Sequence, residues 1–333
     1  MRISHWVSAF AMAVSGVLWG SASADNVTLR ASHQFPGGKG DVRDEMVQMI
    51  ARDAKAAGVD LDIQVYPGAA LFKPNEQWNA LVNGQLDISS FPLDYASGKV
   101  REFGATLMPG LVRSHARAAR MAGSPFMKDI RAKIDQAGVI VLADAWLAGG
   151  VASKKGCIRT PADMKGLKIR SAGPTFAAMW QAAGASIVSV PSNEVYNALQ
   201  TGVADATDTS SGSFVSFRIY EQVKCVTAPG DNALWFMYEP VLISKRSWDK
   251  LNDAQKKALS AASKKAEDYF KTESKKLDDE LVDVYKKNKV EVVTMTAEEF
   301  DAWRGVAQKT SYKEFADKVP GGKELIEKAL SVK

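Results

Sequence analysis

Val27, Leu29 and Ala31 alternate with polar residues as far as His33, the two-residue period of a strand, and Pro36-Gly37-Gly38 stops the run. Val42, Met46, Met49 and Ile50 then fall on one stripe at helical spacing, with Gly58 as the stop. Leu61, Ile63 and Val65 alternate again before Pro67-Gly68. Asn75 to Val82 reads as a helix ended by Gly84, and Asp87 leads a short apolar strand, Ile88 to Phe91. Strands alternating with helices predict a parallel α/β sheet, which binds ligands beyond the carboxyl ends of its strands. That rule singles out His33-Gln34-Phe35 and Ser89-Ser90-Phe91.

The plan then repeats. Val139 to Leu142 is a continuous apolar strand running toward Asp144-Ala145-Trp146. Thr160-Pro161-Ala162-Asp163 opens a helix that Gly166 stops, and the strand Leu167 to Arg170 leads into Gly173-Pro174 and a helix carrying Phe176, Met179 and Trp180. A strand at Ile187 to Val190, a helix at Glu194 to Gln200 and a strand after Asp205 complete the second set. The pattern A-L-x-x-G-x-x-D occurs at Ala80 to Asp87 and again at Ala198 to Asp205, which predicts two equivalent lobes. The last third differs. Phe236 to Ser244 reads as one strand, and Asp253 to Asn288 has no Gly or Pro and is dense in Lys, Glu, Asp and Ala. One helix there would run about 54 Å, enough to lie across both lobes; two helices with a break fit the sequence as well. Thr296-Ala297-Glu298-Glu299 is a capping box, and Lys323 to Val332 is a closing helix. The expected division is residues 25–145 with about 237–275 in lobe I, and 146–236 with about 276–333 in lobe II.

The 333 residues are 46% hydrophobic and 24% charged, too apolar for a disordered chain. A formal charge of +5, from 43 basic and 38 acidic residues, is mixed surface charge rather than a polycation, so nucleic acid is not an expected partner. Met1 and Arg2 precede an uncharged run from Trp6 to Gly20 and the small residues Ala22-Ser23-Ala24, the form of a cleaved leader, residues 1–24. The run is shorter than the ~20 residues of a membrane span, so a free periplasmic protein is expected. In that oxidising compartment the two cysteines, Cys157 and Cys225, are expected to pair, worth about 4 kcal/mol on chain-entropy grounds.

Catalytic chemistry finds no foothold. Beyond the leader the histidines are His33 and His115, far apart in sequence, and no phosphate loop, G-x-S-x-G elbow or H-E-x-x-H motif occurs. No metal, cofactor or catalytic residue is expected, and His115, in the Arg-rich stretch Arg113 to Arg120, reads as a surface residue. Arg170 stands out, at the end of a strand where a parallel sheet faces a crevice. Its planar fork suits a carboxylate better than a lysine would, although strand-end arginines also serve as surface ion-pair partners.

The run P-A-D-M-K-G-L-K-I-R from Pro161 to Arg170, followed by E-V-Y-N-A-L-Q-T-G-V-A-D from Glu194 to Asp205 and with V-Y-P-G-A-A-L-F near Val65 to Phe72, resembles the periplasmic solute-binding subunit of TRAP transporters, the dicarboxylate-binding-protein family. The resemblance covers essentially the whole chain after the leader. It implies a periplasmic-binding-protein-like α/β fold of two lobes with a hinge, braced by the long helix. It also implies an organic acid as ligand, Arg170 as the arginine that grips its carboxylate, and delivery to a membrane permease of small and large subunits by a monomeric receptor. Two departures shape the ligand expectation. Trp146 to Gly150 lacks a second basic residue that many relatives carry there, and Thr207-Asp208-Thr209-Ser210 replaces their amide or acid.

Those departures, with the aromatic residues at strand ends, lead to the expectation of an aromatic monocarboxylate held by Arg170, His33, Phe35, Ser90, Phe91, Trp146, Thr209, Ser210 and Trp235. A C4-dicarboxylate or 2-oxo acid in the same role is the alternative. An exported ligand sensor, or a hydrolase using Asp144, Asp205 or Asp208, is the rival class.

Overall fold

The computed structural model describes residues 26–38 and 40–332; the leader expected at residues 1–24 lies outside the described residues. The chain starts with β1 (Val27–Ser32), α1 (Val42–Ala56), β2 (Leu61–Tyr66), α2 (Pro74–Asn83) and β3 (Ile88–Ser90). After two stretches of 3-10 helix come α3 (His115–Met121), α4 (Pro125–Gln136), β4 (Val139–Ala143) and β5 (Trp146–Ser153). The second set is β6 (Lys168–Arg170), α5 (Pro174–Ala182), β7 (Ser186–Val188), α6 (Val195–Gln200), β8 (Ala206–Ser210), α7 (Ser211–Ser216) and β9 (Cys225–Thr227). The remainder is β10 (Trp235–Tyr238), β11 (Val241–Ser244), α8 (Lys245–Asp249), α9 (Asp253–Lys287), β12 (Glu291–Val293), α10 (Ala297–Ala307), α11 (Lys313–Lys318) and α12 (Gly322–Leu330).

Two sheets result, one in the order β2-β1-β3-β11-β4 and the other β12-β9-β5-β8-β6-β7, with β10 added to β5. In each, three parallel strands are followed by an antiparallel neighbour, β11 beside β3 and β5 beside β8. The repeated A-L-x-x-G-x-x-D pattern explains the correspondence. Gly84 (φ 72°) and Gly202 (φ 74°) end α2 and α6 in the left-handed region that glycine enters without penalty. The aspartate three residues on then locks the next strand to its neighbour. Asp87 accepts from the Arg30 backbone N–H at 2.7 Å and Asp205 from that of Lys168 at 3.0 Å, each returning its own N–H to the same residue's carbonyl.

The single strand expected from Phe236 to Ser244 is two strands in different sheets. Pro240 has no N–H with which to continue a ladder, and at Glu239-Pro240 the chain passes from the second sheet to the first. Asp144-Ala145 makes the opposite passage between β4 and β5, and the Glu239 N–H donates to the Ala145 carbonyl at 2.8 Å. These paired crossings carry the chain between the two sheets. The helix expected at Thr160 is a single 3-10 turn, Pro161–Met164, its Thr160–Asp163 capping box intact.

Asp253–Lys287 is one unbroken helix of 35 residues, about 52 Å long. Leu259, Ala266 and Phe270 pack into the core of β1, β2 and α1, whereas Leu281 and Tyr285 enter the core around Phe214 and Val226. The helix therefore braces both halves. α12 returns to pack on α4. Cys157 and Cys225 are joined in a disulfide that ties the segment after β5 to β9. His115 is half-buried rather than a surface residue: its Nε2 lies 2.8 Å from Asp278 Oδ2 and its ring stands edge-on to Phe236.

Candidate functional site

The two sheets present their strand ends to one another. On the first sheet the edge is formed in order by His33-Gln34 after β1, Ser90-Phe91 at the end of β3, and Glu239 at the start of β11, fixed by the pairings Ala31 with Ile88 and Ser90 with Val241. On the second, Arg170 closes β6 beside Thr207, and Asp208, Thr209 and Ser210 end β8. His33, Phe35, Ser90, Phe91, Arg170, Thr209 and Ser210 are thus brought to facing edges, all buried. Trp146 and Trp235 are not. Trp146 packs on Tyr238, ring centroids 5.0 Å apart, in a core of the first half, and Trp235 lies against Gly149 in the core with Phe176 and Trp180. β5 is the central strand of its sheet. A side-chain carbon on Gly149 would meet the Thr209 carbonyl at 2.1 Å and one on Gly150 the Thr227 carbonyl at 2.1 Å, so neither position admits a side chain.

Arg170 is 0% exposed. Its Nε donates to the Val190 carbonyl (2.8 Å), Nη1 to the Asp208 carbonyl (2.7 Å) and Nη2 to the Tyr95 hydroxyl (3.1 Å). A guanidinium has five N–H donors, so two remain. The Asp208 carboxylate, 3.6 Å from Nη1, is occupied otherwise: it accepts from Trp180 Nε1, Ser171 Oγ and the Ala172 N–H, fixing the loop after β6. Tyr95, from the first half, also receives the Ser192 N–H at 3.0 Å, so it fastens the halves together at Arg170. Beside it Asp94 is buried, and a Cβ on Gly173 would fall 1.3 Å from its Oδ2; only glycine admits that approach. Burial, then the neighbouring Asp208, push the Asp94 carboxyl well above the usual carboxylate range. A groove of about 340 Å³ opens here between Tyr95 and the Ser171–Pro174 loop.

A second buried arginine escaped the sequence reading. Arg43, in the first turn of α1, is 1% exposed and spans the two halves. Nε and Nη2 hold Asp41 at 2.9 and 2.8 Å, Nη1 donates to Ser210 and Ser213 at 3.1 and 2.9 Å, and Nη2 reaches Ser216 at 3.3 Å. Its guanidinium also lies 3.8 Å from the Phe35 ring centroid. The signal was available: a cation in the first turn of a helix opposes the macrodipole, so it needs another reason to be there. Asp41, the N-cap of α1, supplies part of that reason. Burial alone would raise its carboxyl, but Arg43 outweighs burial and holds it below the usual value.

Between the arginines lie polar atoms that make no hydrogen bond among the described residues: both ring nitrogens of His33, both amide atoms of Gln34, Ser90 Oγ and Glu239 Oε2. His33 Nε2 stands 3.2 Å from Asp44 Oδ1 without the alignment of a hydrogen bond. Native proteins leave few buried polar groups unpaired, and these six atoms share the first-sheet edge, while others, among them both Asp94 oxygens and Trp146 Nε1, lie elsewhere.

Burial pushes the Glu239 carboxyl up from 4.5 to about 7, with Asp41 adding to the rise and Arg43 opposing it. A raised carboxyl contributes stability that is complete below pH 4.5 and is lost as pH climbs to about 7. A rise of this size corresponds to about 3 kcal/mol. Urea unfolding of wild type and Glu239→Gln should show the variant gaining on wild type by that order between pH 4.5 and 8; a gap independent of pH would refute the assignment.

Residues 41–318 match the family profile described as bacterial extracellular solute-binding protein, family 7. The chain is 37% identical over 319 residues to a solute-binding protein of Albidiferax ferrireducens, covering 95% of this chain and 94% of that one. It superposes on the crystal structure of a TRAP periplasmic solute-binding protein from Rhodoferax ferrireducens with bound malonate, with a TM-score of 0.88, 37% identity, and coverage of 91% and 98% of the two chains. The fold is also that of DctP7, a Bordetella pertussis extracytoplasmic receptor binding pyroglutamic acid, with a TM-score of 0.83 at 20% identity over 91% and 99% of the chains. Two α/β halves joined by paired crossings, a bracing helix and a match across nearly the whole length agree, and no turnover is part of the family's role: the chain belongs to the DctP family of TRAP solute-binding proteins.

Proposed function

We propose that this protein captures a small polar organic acid between its two halves, with Arg170 holding the carboxylate, and hands it to the membrane subunits of a TRAP transporter. The observation that carries the reading is Arg170 itself. It is fully buried at a strand end facing the other sheet, with three N–H groups anchored by the protein and two left to donate charge-assisted bonds to a carboxylate. Buried from water, such a pair is strengthened by the low local dielectric. The malonate in the Rhodoferax relative and the pyroglutamic acid in the Bordetella receptor support a small ligand. They give the aromatic body expected from the sequence no support. Nor do the rings: Phe91 stands edge-on to Tyr95 and tilted against Trp78, Phe35 lies between His33 and Arg43, and Trp146 and Trp235 are core.

A thermal-shift screen over malonate, succinate, pyroglutamate, hexuronates and benzoates tests this. A ligand at 100 times its dissociation constant stabilises by about 2.7 kcal/mol, well within detection. Stabilisation by members of the small polar set is expected. A screen in which benzoates alone raise Tm, or in which no acid does, would sink the reading.

A further inference from the structure

We infer that the acid this protein carries bears a hydrogen-bond donor, a hydroxyl or an N–H, which is set against Glu239 on the first-sheet edge while Arg170 holds its carboxylate. The inference rests on the reading of Arg170 given above and narrows the class of acid.

Hydrogen-bond accounting carries it. Glu239 is 3% exposed, and its backbone is fixed at the crossing from β10 to β11 by the bond to Ala145. Its Oε2 has no hydrogen-bond partner among the described residues. The nearest cation is Arg43, whose Nη1 stands 3.6 Å away, beyond hydrogen-bond reach. Arg43 cannot turn to it, because all five of its N–H groups are committed: two to Asp41 and one each to Ser210, Ser213 and Ser216. An ionised carboxylate can only accept, and no described residue donates to this oxygen, so a donor on the ligand would answer it.

The same count limits the ligand's charge. With Arg43 fully committed, the free guanidinium N–H groups on the facing edges are the two of Arg170, enough for one carboxylate. A second carboxylate would face Glu239 with no arginine N–H to receive it. A hydroxyl or lactam N–H answers the unpaired oxygen instead. His33, Gln34 and Ser90 on the same edge can each donate or accept, and so they tolerate further polar atoms without selecting their kind.

The test uses pairs of acids matched in carboxylate and differing in the donor: pyroglutamate against cyclopentanecarboxylate, malate against succinate, lactate against propionate. Isothermal titration at pH 8 on the full mature chain should give the donor-bearing member of the preferred pair about 10- to 100-fold tighter binding, the usual worth of a hydrogen bond to a charged group. The charged groups acting on Glu239 are Arg43 and Asp41 at the start of α1 and Arg170 at the end of β6. Its ionised form is the one that accepts, so affinity for the donor-bearing acid should fall as pH is lowered from 8 to 6. Titrations in buffers of different ionisation enthalpy should detect proton release near pH 7. Glu239→Gln should reduce the donor's advantage and flatten the pH profile.

Equal affinities within the pairs, or binding that strengthens on acidification, overturn the inference while leaving the carboxylate-binding role intact. If neither a member of these pairs nor any other acid of the thermal-shift screen binds, it is the role of Arg170 that fails.

Discussion

Replacing Arg170 with alanine is expected to weaken binding of the carried acid by about 30- to 4,000-fold, or ~2–5 kcal/mol, the cost of truncating one partner of a buried charge pair. The expectation follows from where the side chain is held. Val190, Asp208 and Tyr95 fix three N–H groups, so the remaining two are pre-organised and lose little entropy on meeting a carboxylate. Arg170→Lys separates charge from geometry. A lysine keeps the positive charge but has no planar fork and only three donors, which the acceptors of Val190, Asp208 and Tyr95 alone would exhaust. It should fall between wild type and the alanine variant. Asp208 keeps its bonds from Trp180, Ser171 and Ala172 in either variant, but Asp94 and Asp208 lose a neighbouring cation, so circular dichroism and a thermal melt check the fold before calorimetry is read. An alanine variant that binds within a few-fold of wild type would remove Arg170 from the site.

The chain order of strands and helices was legible because local signals agree with the fold. The repeated A-L-x-x-G-x-x-D was legible as a repeat, and its physical content is concrete: a left-handed glycine that stops a helix and an aspartate that clamps the next strand to its neighbour. The crossing at Glu239-Pro240 was not legible, since apolar residues resume directly on either side of it whichever sheet receives them. Glu239 and Pro240 were the marks of the break. The site shows the same division. Arg170 is marked by its strand end, a local property, whereas Arg43 is matched to serines about 170 positions away that no period or spacing connects to it. The aromatic reading failed for a related reason. A ring near a strand end packs into a core or lines a cleft according to the sheet's other face, and that face is set by tertiary contacts.

Arg43→Met should destabilise the protein by about 3–5 kcal/mol at pH 8, the cost of leaving buried carboxylates without their cation. Methionine replaces most of the volume, so the loss is electrostatic rather than a cavity. Asp41 and Glu239 are both buried beside Arg43, and Ser210, Ser213 and Ser216 lose their donor at the same time. The penalty has a pH signature. Arg43 opposes the rise of Glu239, so without it the carboxyl climbs above its present value of about 7, and wild type and variant should converge as acid protonates it. Asp41→Asn offers a second arm, because asparagine caps a helix as well as aspartate while carrying no charge. In a double-mutant cycle, Asp41→Asn combined with Arg43→Met should recover part of the loss, a coupling expected only if the ion pair is the source. Arg43 also joins α1 to α7 across the halves, so X-ray scattering of Arg43→Met should report a larger radius of gyration than wild type at equal ligand. Additive costs in the cycle and an unchanged radius would reduce Arg43 to a packing residue.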